Sequence, residues 1–453
     1  MSFTHATGCA SRIAWRVALA FSPALLLLLP GDAAGQEVSP VGQPTVRLAD
    51  VLEMVERLNP RLAAAEAMAR AARARVPAAS RPADPQLQLG WMNYELPELR
   101  PMQPLGMTQL QLMQMVPVAG QLRLSGDIAR ARADVAATMI DDVRLELRAR
   151  SAMSFYDLYA IEGALGVASE TKRLLEDIAA VADRMYQVGE GRQADVLRAR
   201  VEIARMEEEI IRMQTMRAVE QANLNALLVR PAGSPIGTPV LPSFPRVPAS
   251  VDSLVALADQ HRPLLRAGAK ELEAAERQST LAVREIWPDL LVGVQLGQRS
   301  GAMGVERMGS LMIGASIPVF ARSRQLPMRT EMIAMQVAAR AELDAMRTET
   351  SGSVAAASAD LDRARRLAEL YRTSVLPQAE ATVASSRAAY RVGDVPFMTL
   401  IDAQMMLNRY RQELFTLEAD EGKAWTQLEM LTGRVLVDET STTPTRPLGE
   451  VPR

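Results

Sequence analysis

The sequence predicts a mainly α-helical chain with a small β part, in which long antiparallel coiled-coil helices carry four strands suited to a membrane. Three observations lead there. Residues 121–188 run without a proline or a paired glycine. As one helix they would reach roughly 100 Å at ~1.5 Å per residue, too long for a compact core and suited only to packing along other rods. Four short segments alternate apolar with polar or small residues, the pattern of half-buried or barrel strands. The whole arrangement also occurs twice, an internal duplication.

Taken in order, residues 1–35 read as a signal peptide for export. Arg12 and Arg16 precede an apolar run, 17–29, that is too short to span a bilayer, and Ala33, Ala34 and Gly35 offer a cleavage site. Cys9 is the only cysteine and precedes that run, so the mature chain would hold no disulfide and no lipid-attachment cysteine. The formal net charge of −2 is not that of a nucleic-acid binder. No later segment approaches the apolar length of a spanning helix, so an exported chain that reaches a membrane would have to use strands.

Residues 36–230 form the first structural repeat. After a loose start at 36–46, Leu48, Val51, Leu52, Val55 and Leu58 recur at helical spacing. Asn59-Pro60 interrupts that helix, expected over 47–75, and Pro77, Pro82 and Pro85 close it. A hairpin follows at 86–117, its strands at 86–95 and 108–116 joined by a proline-rich loop. The long helix then reaches a turn at Gly189-Glu190-Gly191, and a further helix covers 192–229.

Residues 231–248 form a proline-rich linker. The second repeat, 249–434, is expected to hold a helix at 251–286 and a hairpin at 289–319 with strands at 289–299 and 309–319 around a Gly-rich loop. A long helix follows at 322–392, kinked at Pro377, then a turn at Gly393 and a helix at 397–432. Residues 435–453 read as a disordered tail. Five landmarks recur in order about 200 residues apart, among them Pro60 with Pro263, Pro117-Val118 with Pro318-Val319, and Tyr186-Gln-Val-Gly189 with Tyr390-Arg-Val-Gly393.

The second hairpin is the clearer membrane candidate. Leu290, Val292, Val294 and Leu296 share one face, and Leu291, Gly293, Gln295, Gly297 and Arg299 the other. An ordinary half-buried sheet has the same periodicity. Four strands cannot close a barrel, whose minimum is about eight, and open edges are forbidden in lipid. Strands that enter a membrane must therefore be pooled from several copies, and three copies would supply twelve. The seams Leu174, Ile178, Val181, Met185, Val188 and Leu400, Ala403, Leu407, Tyr410, Leu414, Leu417 have coiled-coil spacing on either side of the two turns. Two short helices stacked end to end match one long helix in length, giving a wall of rods with strands at one end and turns at the other.

Catalytic chemistry is not visible. After the signal His261 is the only histidine, and no metal cluster, catalytic triad or phosphate loop can be traced, so neither an enzyme, a cofactor nor a resident metal is predicted. Asp141/Asp142 and Glu207/Glu208/Glu209 read as solvated helix faces. Met102, Met107, Met113 and Met115 cluster around the first hairpin; thioethers suit Cu(I), but methionine more often fills apolar gaps.

At this point the chain resembles the TolC-type outer-membrane efflux proteins, the outer membrane factors of tripartite pumps, over residues 45–434. The carriers are Leu58-Asn-Pro-Arg-Leu62, Gln114-Met-Val-Pro-Val118, Tyr186-Gln-Val-Gly189 with Ala194-Asp-Val-Leu197, and Tyr390-Arg-Val-Gly393 with Leu400-Ile-Asp-Ala403. The resemblance implies a homotrimer with a 12-stranded transmembrane β-barrel in the outer membrane and an α-helical tunnel in the periplasm. It implies a passive duct, with a periplasmic adaptor protein and an inner-membrane efflux pump as partners, the heavy-metal RND type being one candidate for the pump.

The resemblance further implies a periplasmic gate near the turns. Asp402 falls at one aspartate-ring position and Thr399 at its companion, while Asp195 and Tyr390 match a gate-holding hydrogen-bond pair. Val395 stands where some members carry arginine. Val188, Gly189, Val392 and Gly393 fall at the turns where the adaptor docks. The competing expectations are a soluble periplasmic coiled-coil adaptor or scaffold without membrane strands, and an exported enzyme.

Overall fold

The computed structural model describes residues 45–102, 105–244, 250–301 and 304–436. The expected signal peptide and all but the first two residues of the expected tail lie outside the described residues. The first repeat holds β1 (Thr45–Arg47), α1 (Leu48–Leu58), α2 (Pro60–Ala79), β2 (Gln86–Met92), a small tip ladder of β3 (Tyr94–Glu95) and β4 (Arg100–Pro101), β5 (Met107–Val116), α3 (Gln121–Gln187) and α4 (Gln193–Leu227). After β6 (Thr238–Val240) the second repeat holds α5 (Val251–His261), α6 (Pro263–Arg284), β7 (Leu290–Gly301), β8 (Gly304–Ala315), α7 (Gln325–Leu370), a π-helical turn (Tyr371–Val375), α8 (Leu376–Arg391) and α9 (Phe397–Thr432).

Each repeat makes one long rod and one stack of two shorter rods. α3 is a single helix of 67 residues, and α7, the π turn and α8 together form a second rod of that length. Along the first half of α3 lies α2, held by a bidentate pair between Arg61 and Glu146 at 3.0 Å. Along the second half lies α4, held by Arg217–Glu162 at 2.5 Å and Lys172–Glu207 at 3.6 Å. Asn59 splices the two: its side chain caps α2 by accepting from Arg61 N and donates to Leu227 O at the end of α4. α6 and α9 line the other side of α3 in the same way, and α7 and α8 pack against them. The columns therefore run short stack, long rod, short stack, long rod.

The core sits at mid-height, where Phe155, Tyr156, Leu158, Leu147, Leu52, Val55 and Leu224 are buried together. α3 and α9 approach closely there. A Cβ on Gly163 would lie 2.4 Å from the Phe415 ring, and one on Gly422 would lie 2.4 Å from the Tyr156 ring. β1 and β6 pair in parallel, so the linker contains a strand that fastens the start of the first repeat, and the start expected to be loose is ordered from Thr45.

Several boundaries differ from expectation for identifiable reasons. The helix expected over 251–286 is two helices, because Pro263 begins α6 as Pro60 begins α2. α2 passes through Pro77 to Ala79. β8 begins at Gly304, so most of the expected Gly-rich loop is strand. Its polar residues pair across the hairpin, with Arg299 Nε 2.7 Å from Glu306. The kink at Pro377 takes the form of the π turn just before it. Proline lacks an N–H and its ring crowds a preceding carbonyl, and a widened turn relieves both.

Candidate functional site

The two ends of the rods, roughly 100 Å apart at ~1.5 Å per residue, carry the two candidate regions. At one end, α3 stops in a Schellman cap. Gly189 N donates to Tyr186 O and Glu190 N to Met185 O, with Gly189 in the left-handed region at φ +82. The end of α8 repeats this bond for bond: Gly393 N to Tyr390 O, Asp394 N to Ala389 O, and Gly393 at φ +78. The preceding valines project into solvent, with Val188 70% and Val392 79% exposed. The four residues expected at docking turns thus form two matching tips, each a glycine cap with an exposed valine.

Just inside the tips, Tyr390 is buried and meets Phe397 edge-on, ring centres 5.5 Å apart. Asp195, in the first turn of α4, shares a cleft with Tyr390, Arg192, Asp394, Val395 and Phe397. Burial raises the Tyr390 phenol above its ordinary pKa, and the Asp195 charge adds to that. No hydrogen bond among the described residues joins the two. Thr399 and Asp402, three residues apart on α9, are both exposed on one face, which continues through Met406 and Arg409. Thr399, Asp402 and Arg409, with Met406 among them, thus face away from the protomer's own helices.

At the other end the sheet has order β2-β5-β7-β8, antiparallel throughout, with β2 and β8 as open edges. Its register places Leu87, Leu112, Val294 and Leu311 in one cross-strand row and Leu89, Leu110 and Leu296 in the next. All are exposed, Leu311 by 69% and neighbouring Ile313 by 74%. The opposite face carries Gln88, Gln111, Gln295 and Ser310 in one row, and Gln295 donates a side-chain hydrogen bond to Gln109. One side of the sheet is thus apolar and uncovered and the other is polar. A soluble protomer would leave these leucines and valines in water at roughly 25 cal/mol per Å².

Among the described residues no helix is long and apolar enough to cross a membrane, and no cluster of histidine, cysteine and carboxylate side chains could hold a metal ion. The strand alternation read from the sequence agrees with the two faces of the sheet; of the residues expected at a gate, Asp195 and Tyr390 line one cleft and Thr399 and Asp402 share one helix face. Sequence reasoning missed that the methionines of both hairpins share one face of the sheet. The alternation within each strand carried the face assignment, but only the pairing between hairpins relates one strand's face to another's.

A model of the outer membrane efflux protein family matches residues 51–229 and 254–434, the two repeats in turn. No curated protein matches the chain. Among solved structures, the fold is similar to the outer-membrane channel OprN at 17% identity, covering 85% of this chain and 89% of that one, with a TM-score of 0.73. It is similar to the outer membrane protein VceC of Vibrio cholerae at 17% identity, 85% and 96% coverage and a TM-score of 0.74. The open state of the MtrE outer membrane channel of Neisseria gonorrhoeae matches at 15% identity, 87% and 91% coverage and a TM-score of 0.69.

Proposed function

Because this chain belongs to the outer membrane efflux protein family, we propose that it is the trimeric exit duct of a tripartite pump, receiving cargo from a periplasmic adaptor and an inner-membrane transporter and releasing it outside the cell. The chain works in the outer membrane, with its helical tunnel in the periplasm. The observation that carries the reading is the unfinished sheet, with an uncovered apolar face and two open edges, standing on rods whose own edges are also unfinished.

The edges are of complementary kinds. One is the short stack of α2 and α4, with Leu197, Val201, Ile211 and Val219 exposed along it. The other is the long rod of α7 and α8, where Ala381, Ala384 and Ala388 are exposed. A second copy placed beside the first would continue the alternation of stack and rod, set branched side chains against small ones, and pair β8 with the next β2. Repetition of that contact around an axis closes a ring. Three copies give twelve strands, within the range of even-numbered antiparallel barrels. The apolar face then meets lipid and the glutamine face lines water. The tips of α3 and α8 would dock the adaptor, and Asp402 and Thr399 would ring the bore above them, with Asp195 and Tyr390 holding the closed arrangement. We read the duct as passive rather than enzymatic.

The test is the native mass and conductance of the detergent-purified mature chain. A three-chain particle that opens steady channels in a planar bilayer is expected. A monomer that stays soluble without detergent and leaves the bilayer silent would favour the periplasmic scaffold instead.

A further inference from the structure

The register of the sheet separates its methionines by face. Every described methionine of the four strands, namely Met92, Met107, Met113, Met115, Met308 and Met312, lies on the polar face with the glutamines, and the apolar face carries none. This is the reverse of what methionine as a hydrophobe would do. Its usual service is to fill irregular gaps in an apolar core, and an open face lined by glutamine has no such core. The thioether is instead a soft, neutral donor placed where water and solutes pass.

The side chains are also accommodated by a local device. Met113 on β5 and Met312 on β8 are not direct neighbours; Gly293 on β7 lies between them in one row. A Cβ on Gly293 would lie 3.3 Å from Met113 Cγ and 3.5 Å from Met312 Cε, so the two side chains converge over the slot that glycine leaves. Gln111 Nε2 points at Met312 Sδ at 4.0 Å, a weak contact that engages one lone pair of this sulfur and leaves the other. A second slot repeats the device: a Cβ on Gly297 would lie 2.9 Å from Met107 Sδ, and Met308 is the partner of Gly297 on the far strand. Both glycines are buried on a face otherwise open. Of the charged groups on this face of the strands, Arg299 and Glu306 neutralise each other at 2.7 Å. The preference comes from the thioethers, soft donors that favour soft cations over Mg²⁺ or Ca²⁺, while the amide oxygens are hard donors that add nothing to it.

We propose that the methionines of the polar sheet face form a transit site for soft monovalent cations, Cu(I) or Ag(I), with the converging thioethers of Met113 and Met312 over Gly293 as its principal station. The assignment rests on the duct reading above and gives that duct a cargo class. From Met107 to Met115 the donors extend along the strands for roughly 27 Å at ~3.4 Å per residue. A neutral pair of thioethers holds such an ion without a carboxylate's charge, which suits passage rather than storage.

The probe is silver nitrate, in nitrate salts, on the full mature chain in detergent and in planar bilayers. Wild-type protein is expected to retain silver in equilibrium dialysis and to show brief silver-dependent current blockades. The double variant M113L/M312L, matched in volume, should lose most of the blockades and at least tenfold in silver affinity at this site. The control M68L, on an exposed position of α2 far from the sheet, should behave as wild type. Channels that conduct normally but respond to silver equally in wild type and M113L/M312L would overturn the inference and leave the duct intact, as would equal blockade by zinc nitrate. A wild-type chain that opens no channel at all would instead refute the duct reading on which it rests.

Discussion

Tyr159 Oη donates a 2.6 Å hydrogen bond to Glu418 Oε2, and so ties the first long rod to α9 at mid-height. The other oxygen of Glu418 accepts from Arg372 Nη2 at 2.6 Å. Arg372 lies in the π turn of the second long rod, so one carboxylate bridges three columns. Burial, with the neighbouring carboxylate charge behind it, holds the Tyr159 phenol far above its ordinary range, so it stays protonated and donating throughout physiological pH.

Removal of the bridge should cost more than its weakening. Glu418→Ala leaves a mostly buried hydroxyl and a guanidinium without their shared acceptor and is expected to destabilise by about 2–4 kcal/mol, whereas Tyr159→Phe should cost about 1–2 kcal/mol. Thermal denaturation followed by circular dichroism of the purified protein checks the order. A Glu418→Ala variant as stable as Tyr159→Phe would show that Arg372 finds another partner.

Two glycines on α3 offer opposite outcomes. Gly163→Ala drives a Cβ into the Phe415 ring and should destabilise by about 1–3 kcal/mol through overpacking. A Cβ on Gly166 would have nothing within 4 Å, so Gly166→Ala removes only backbone freedom and should stabilise by about 0.5–1 kcal/mol. The same melting experiment reads both. Similar losses from the two substitutions would mean that Gly166 is covered in the assembled protein.

Adjacent residues of β7 face opposite environments. Val294 lies on the exposed apolar face and Gln295 on the glutamine face. Val294→Arg should reduce recovery from the outer-membrane fraction, with a cost of about 2–4 kcal/mol near the bilayer midplane, while Gln295→Arg should insert normally and change conductance only. Equal insertion of both variants would remove lipid from the apolar face.

How much of this is legible in the sequence follows from the range of each signal. α3 and α9 can be bounded closely because glycine and proline punctuate their ends and nothing breaks their interiors. The split between α5 and α6 is harder, since apolar spacing continues across His261 and Arg262, although Pro263 stands where Pro60 breaks the first repeat. β8 reads displaced in the sequence, at 309–319 rather than Gly304–Ala315, because residues 304–308 lack apolar alternation and pair through partners such as Arg299 across the turn, while Ile317 and Val319 carry the alternation past the strand's end. Thr399 and Asp402 share a face by helical spacing alone. The meeting of Asp195 with Tyr390 joins two turns about 200 residues apart, a distance that only the duplication itself suggests. The convergence of Met113 and Met312 needs the pairing of β5 with β7, which no local pattern specifies.

The tip glycines should separate conformation from contact. Gly189 and Gly393 sit at positive φ, and a Cβ added to either would have nothing within 4 Å. Alanine there meets no clash and incurs only the left-handed backbone cost, about 1–2 kcal/mol. Gly189→Ala or Gly393→Ala should raise hydrogen exchange in the Schellman bonds of its own tip and leave the mid-height core protected. Loss of protection throughout the rods would mean that the tips help hold the columns together.

Tyr390 fills the space between α8 and Phe397 at the start of α9, next to the Asp195 carboxylate, while Asp402 projects one turn beyond Thr399 on the open side of that helix. In a symmetric ring, equivalent Asp402 side chains approach one axis, where like charges repel and cations are favoured over anions. Tyr390→Phe keeps the ring packing and removes the hydroxyl that neighbours Asp195, and Asp402→Ala removes the charge that the proposed gate would place at the bore. The combined variant should show higher single-channel conductance and weaker cation preference in a planar bilayer, and Tyr390→Phe alone should raise conductance without altering selectivity. If conductance and reversal potential both stay at wild-type values in the combined variant, the constriction lies elsewhere along the bore and these residues belong to the helix surface.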